Sequence, residues 1–221
     1  MMMSKISTTT GKEMMKTRVY GLLAALCFFL FSLSLGITLV TQDKGYYDRQ
    51  LVINETSELT GLPLEDLKIR AHALREYLEE GDNSLIAPYF NSKEVQHMED
   101  VHGLFYLKNW ILVLAGLGFL WTFVCGRKEG RGKSFLNMAL GVLLVFLVFI
   151  AFAAMNFDLA FVGFHKVFFQ NDLWLLDPSK DLMIQMLPQS FFEGMALRIG
   201  LFVLFMEGVY LLSLWRMTKK S

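Results

Sequence analysis

The sequence predicts an all-α integral membrane protein, with four transmembrane helices and a small extracellular cap. Three observations predict it. Hydrophobic residues make up 54% and aromatic residues 14% of the 221, including 20 Phe, and the mean hydropathy is positive, a membrane composition. Four apolar runs reach the roughly 20 residues a helix needs to cross the hydrocarbon. The formal net charge of zero hides an alternation of basic and acidic segments between those runs.

Residues 1–18 form a basic N-terminus with Lys5, Lys12, Lys16 and Arg18. The first span, 19–40, follows this basic stretch as a signal peptide would. It is longer than a usual signal core, however, and Phe28, Phe29 and Phe31 stand where a cleavage site needs small residues, so it is expected to be retained. Segment 41–102 is the cap, far longer than a turn between spans. In it, Pro63 followed by Glu65 and Asp66 opens a helix. Leu67, Ala71, Leu74 and Leu78 recur at helical spacing, and Gly81 ends the run. A second cap helix starts near Ser92 and runs through His97 into the second span, 103–125, where Lys108 is placed to snorkel.

A short basic loop, 126–134, holds Arg127, Lys128, Arg131 and Lys133. The third span, 135–156, is the cleanest, with no charge between Leu140 and Met155. Segment 157–193 is too polar to cross a bilayer and too aromatic for an ordinary loop. Its first half, Phe157 to Phe169, suits an interfacial or partly re-entrant helix, and its second half contains Pro178 and Pro188. The fourth span, 194–215, carries Arg198 at its start and Glu207 in its middle, and a basic tail, 216–221, follows. The positive-inside rule then puts both termini and the 126–134 loop in the cytoplasm, and the two acidic segments outside. A multi-pass membrane protein is therefore expected, with its wet, aromatic segment at the outer face.

Several function classes are excluded by what is missing. Cys27 lies in the first span and Cys125 at the inner end of the second, so neither outward segment has a thiol to bridge or to act as nucleophile. There is no G-x-S-x-G serine motif, no HExxH or other tight ligand cluster, and no glycine-rich phosphate loop. The basic residues sit at the inner membrane surface and form no nucleic-acid face. No metal, cofactor or nucleic-acid partner is expected.

What remains is histidine at the outer lipid boundary. His97 and His165 come from the two outward segments at one predicted depth, and imidazole exchanges protons near neutral pH. Asp100, one turn after His97, could orient an imidazole. The plain alternative is that each histidine caps a helix or packs at the interface. His72 reads as a solvated surface residue between Arg70 and Arg75, and His102 points to another helical face than His97. Phe164, Phe168 and Phe169 around His165 could hold acyl chains and exclude water. Glu207 is expensive in lipid and, too far from Arg198 along its helix to pair with it, reads as a helix–helix contact.

The pieces Glu94-x-x-His97-Met98-x-Asp100-Val101 and Phe164-His165-x-x-Phe168-Phe169-x-Asn171-Asp172-x-Trp174-x-x-Asp177-Pro178-x-x-Asp181, continuing to Pro188 and Phe191-Phe192, resemble the bacterial lipoprotein intramolecular transacylase family. The resemblance extends over nearly the whole chain. It implies an acyltransferase of the bacterial cytoplasmic membrane, with the active site at its outer face, acting on diacylglyceryl-modified lipoproteins. The sn-2 acyl chain moves to the α-amino group of the N-terminal cysteine, giving the lyso-form lipoprotein. The resemblance maps two catalytic histidines onto His97 and His165; where the family often has a basic residue after Asp-Val, this chain has His102. Phe164, Phe168, Phe169 and Trp174 would confine the substrate. Asp100, Asn171, Asp172 and Asp177 would bind or orient it. One imidazole would serve as general base, and the same or the other would protonate the departing glyceryl oxygen. The chain is expected to work as a monomer among membrane lipids. A transporter or assembly protein is the rival reading, but it should place polar groups at mid-membrane in broken or repeated helices. An acyltransferase working through an acyl-enzyme is a second rival, and it lacks an outward nucleophile.

Overall fold

The computed structural model describes residues 2–126 and 132–219. Arg127, Lys128 and Arg131 of the basic loop, and Lys220 of the tail, lie outside the described residues. All regular structure among the described residues is helical: α1 (Met2–Thr41), α2 (Lys44–Ile53), α3 (Thr56–Thr60), α4 (Leu64–Glu80), α5 (Ser92–Gly126), α6 (Gly132–Met155), α7 (Phe157–Phe168), α8 (Leu182–Met186) and α9 (Gln189–Thr218), with one 3-10 turn at Asn83–Leu85. Four of these are long and apolar enough to cross a membrane, over Glu13–Thr41, Ser92–Cys125, Gly132–Met155 and Gln189–Thr218.

The chain divides into two compact units. The first gathers Met1–Gly36, Trp110–Phe152 and Gly200–Ser221. Its core joins Ala24, Ala25 and Ala139 to Phe28, Phe135, Tyr210 and Leu214. Small residues let the helix backbones approach, which is how helices associate where lipid removes the hydrophobic drive. Val145, Val148, Phe149, Leu117 and Leu120 are exposed, as lipid-facing positions require. Glu207 is fully buried here, and among the described residues both its carboxyl oxygens and the Tyr210 hydroxyl one turn later lack hydrogen-bond partners.

The second unit gathers Ile37–Asn109 and Ala153–Ile199, and it contains all the candidate site residues. Its core is built on α4, which buries Leu67, Ala71, Leu74, Tyr77 and Leu78. Each large side chain so buried stabilises the unit by about 1.5–3 kcal/mol. Tyr46, Tyr47, Leu51, Ile86, Phe90, Met98, Met183, Met186 and Phe191 complete the same core. Gly81 closes α4 in the left-handed region at φ +69°, and a Cβ there would lie 2.5 Å from His102 Nε2.

Polar side chains tie this unit together. Asp43 caps α2 by accepting from the Tyr46 N–H and also accepts from Arg198, at 2.8 Å. The Arg198 guanidinium covers the Tyr46 ring, and the Tyr46 hydroxyl donates to the Phe191 carbonyl at 2.6 Å. Lys108 does not snorkel: it is 6% exposed and donates to Thr38 Oγ1 and Glu79 Oε1, because these two acceptors satisfy it inside the unit. His72 is likewise not simply solvated, since its Nε2 is 2.7 Å from Asp48 Oδ1.

Candidate active site

His97 lies in the second turn of α5. That helix is started by Asn91, whose Oδ1 accepts from the N–H groups of Lys93 and Glu94, while Glu94 Oε2 accepts from the Asn91 N–H. This reciprocal cap satisfies orphan donors on both sides and fixes the helix entry. α5 has 35 residues, about 52 Å at 1.5 Å per residue, against a hydrocarbon core of about 30 Å. The helix is therefore longer than a span needs, and His97 lies near its start.

His165 lies near the end of α7, a helix with one apolar exposed face: Leu159, Phe164, Val167 and Phe168 are open while His165 is buried. Its Nδ1 is 2.7 Å from the Phe161 carbonyl oxygen. A carbonyl only accepts, so Nδ1 carries the proton and neutral His165 keeps its lone pair on Nε2. The ring stacks on Trp174 with centroids 4.8 Å apart, and Phe161 lies 4.2 Å away on its own helix.

The two histidine rings are 6.1 Å apart, centroid to centroid, tilted by 32°. Phe169 touches both, at 5.4 Å from His97 and 5.5 Å from His165, and Phe164 lies 5.5 Å from His165. Each histidine is 8% exposed. Burial drops the His97 pKa from 6.5 to about 4, with the neighbouring His165 adding to the effect and Asp100 opposing it. Burial also lowers the His165 pKa, and its bond to the Phe161 carbonyl partly opposes that. Both imidazoles are therefore neutral at pH 7. His97 Nδ1 is buried and has no hydrogen-bond partner among the described residues.

The other candidates are placed unevenly. Phe169 and Trp174 form the walls of the pair. Phe164 stacks on Phe168 at 4.7 Å, and both are about half exposed. Asp100 does not bond an imidazole; its Oδ2 accepts from Asn171 Nδ2 at 2.9 Å. Asp172 is exposed. Asp177 is engaged in its own turn, accepting from Ser179 and pairing with Lys180, and Ser179 draws its pKa down to about 2. His102 faces away from the pair: its Nδ1 is 3.1 Å from the Leu78 carbonyl, and its ring packs on Tyr77.

Sequence reasoning missed the Phe161 carbonyl and the role of the cluster Asn91, Lys93 and Glu94. The first has no side-chain signal. The second does: an asparagine three residues before a glutamate is a helix-start pattern.

The family model for the lipoprotein intramolecular transacylase Lit matches residues 22–192, which include both histidines and the aromatic segment as far as Phe192. A search of curated proteins gives no match. The chain is similar to the solved in meso structure of the membrane-integral lipoprotein intramolecular transacylase Lit from Bacillus cereus, with 25% identity and a TM-score of 0.79, over 93% of this chain and 97% of that one. Two variants of the Bacillus cereus protein, with a histidine replaced by arginine or by alanine, share the fold at 22% identity, with TM-scores of 0.77 and 0.76. The first covers 97% of both chains, and the second 96% of this chain and 98% of its own. With its four apolar helices and a family match across most of its length, the chain belongs to the lipoprotein intramolecular transacylase family, the membrane-integral acyltransferases called Lit.

Proposed function

We propose that the protein converts diacylglyceryl lipoproteins to the lyso-form at the outer face of the bacterial membrane, with His97 and His165 as the reacting pair. The observation that carries this reading is the pair itself. Two neutral imidazoles, 6.1 Å apart, share one phenylalanine wall within a single unit.

The α-amino nitrogen of the substrate cysteine attacks the sn-2 ester carbonyl carbon. A C–N bond forms, the C–O bond to glycerol breaks, the nitrogen loses a proton and the glyceryl oxygen gains one. His165 takes the proton on Nε2, because Nδ1 is committed to Phe161, and returns it to the leaving oxygen. Burial, aided by the neighbouring His165, lowers the His97 pKa to about 4, so its imidazolium is costly to form. His97 therefore acts as a neutral N–H donor to the carbonyl oxygen as negative charge builds there.

Donor and acceptor belong to one substrate molecule, so no acyl-enzyme is needed. The enzyme's task is to fold the lipid into a near-attack ring, and such positioning contributes roughly 7–11 kcal/mol. Phe164, Phe168, Phe169 and Trp174 confine it. Asp100 and Asn171, joined to each other, and Asp172 present polar groups to the amine end. Both histidines come from one chain, so a monomer holds the complete pair.

Expression in a bacterium that makes only diacyl lipoproteins, followed by fragmentation mass spectrometry of N-terminal lipopeptides, tests the function. N-acylated lyso-form peptides are expected. Unchanged diacylglyceryl peptides, with the protein inserted in the membrane, would overturn it.

A further inference from the structure

The segment that carries Trp174 makes four side-chain hydrogen bonds to the helix that carries His97. Asn171 Nδ2 donates to Asp100 Oδ2 at 2.9 Å, and Lys93 Nζ donates to the Leu175 carbonyl at 2.6 Å. These two anchors stand on either side of Trp174 in the sequence, and their α5 partners stand one turn to either side of His97. Farther on, Asn91 Nδ2 donates to Asp181 Oδ1 at 2.8 Å, and Glu94 Oε1 accepts from the Met183 N–H at 2.7 Å. Asp181 holds the strap's own turn closed by accepting from the Asp177 N–H at 2.7 Å.

Glu94 is the buried anchor of this strap. It is 1% exposed, and its two oxygens are divided between α5 and the strap: one accepts from Asn91 at the start of its own helix, the other from Met183 at the start of α8. Asp181 stands at the N-cap of α8 but does not cap it; Glu94 serves that helix from across the unit. Such bonds offset the cost of burying a carboxylate. Burial raises the Glu94 pKa, and the backbone N–H bonds from Met183, Asn91 and Leu182 oppose the rise.

We propose that Glu94 is a positioning residue, acting with Lys93 to lock the Asn171–Met183 strap so that Trp174 holds His165 in register with His97. This rests on the reading of His97 and His165 as the reacting pair. The contact chain is continuous: Glu94 and Lys93 fix the strap, the strap fixes Trp174, and Trp174 stacks on His165. The α5 turns that hold His97 thereby set the position of the other histidine too. Misplacement by about 1 Å at such a pair costs about 100-fold in rate.

The test uses the full-length protein in detergent, with Glu94→Leu and Lys93→Met. Glu94→Leu removes both acceptors; Lys93→Met keeps the apolar stem and removes the ammonium that bonds the Leu175 carbonyl and pairs with Asp181. Initial rates on a synthetic diacylglyceryl lipopeptide give kcat and KM separately, and hydrogen–deuterium exchange reports the strap. Expected are a kcat loss of about 100-fold for Glu94→Leu and about ten-fold for Lys93→Met, with KM within two-fold. Amides of 171–186 should exchange faster while those of α4 stay protected. Wild-type kcat in a folded variant overturns the proposal, and so does a kcat loss without faster exchange in the strap. If Glu94→Leu does not fold, Lys93→Met decides by the same two readouts. An inactive wild-type protein would refute the reaction assigned above, whereas the exchange data would still decide whether these anchors lock the strap.

Discussion

Replacing Phe169 with alanine should rehydrate both histidines at once. Phe169 is 7% exposed and lies 5.4 Å from His97 and 5.5 Å from His165, so it shields the two rings together. The gap between 6.5 and about 4 for His97 is worth about 3 kcal/mol of preference for the neutral ring, at about 1.4 kcal/mol per pH unit. Burial is its main cause, so most of that preference should be lost once water reaches the ring. The sign follows from the lowered pKa: the wild-type fold is favoured by neutral His97 above pH 6.5 and loses that support as pH falls toward 4. The variant should show a smaller acid sensitivity from this site, offset by about 3 kcal/mol lost from the missing ring at every pH. Labelled-histidine NMR in detergent, with the four histidines assigned by single substitution, would follow the titrations. The His97 midpoint should rise from about 4 in the wild type toward 6.5 in Phe169→Ala. A wild-type His97 midpoint at 6.5, or one near 4 that Phe169→Ala does not move, would refute the burial argument.

His97→Ala and His165→Ala should each lower the transacylation rate by about 100- to 10,000-fold with the protein still folded, as read by lipopeptide fragmentation and thermal melting. His102→Ala should keep activity within about ten-fold, since that ring packs on Tyr77 and bonds Leu78; a loss matching His97→Ala would move the site. Gly81→Ala should destabilise by about 1–3 kcal/mol, because the left-handed φ and the His102 ring both oppose a Cβ, and a detergent melt measures it. Glu207→Met should raise the melting temperature, because it removes two buried oxygens without partners in an apolar swap of similar volume.

The spans and the α4 face were legible because lipid and core burial impose long apolar runs and a 3.6-residue period, as at Leu67, Ala71, Leu74 and Leu78. The helical stop at Gly81 was legible because few residues other than glycine accept its φ. His97 and His165 were legible as residue types at one depth, but their 6.1 Å approach depends on packing between segments almost 70 residues apart, which no local pattern encodes. Asp100 illustrates the limit. Its spacing from His97 correctly put both in one helical region, yet the carboxylate took Asn171 as its partner, because amide donors from a distant strap competed for it. Lys108 was misread for the same reason: snorkelling is its choice only when no acceptor lies inside, and Thr38 and Glu79 supply two. The tautomer of His165 was invisible in sequence because a backbone carbonyl sets it.

In the proposed reaction the acyl chain moves within one substrate molecule between His97 and His165, with no acyl-enzyme. A crossover measurement tests this directly. Purified protein would receive two diacylglyceryl lipopeptides of different sequence, only one of them carrying an isotopically heavy sn-2 acyl chain. Fragmentation mass spectrometry should find the heavy N-acyl group on its original peptide alone. Heavy label distributed over both peptides, or recovered covalently on the protein, would contradict the account.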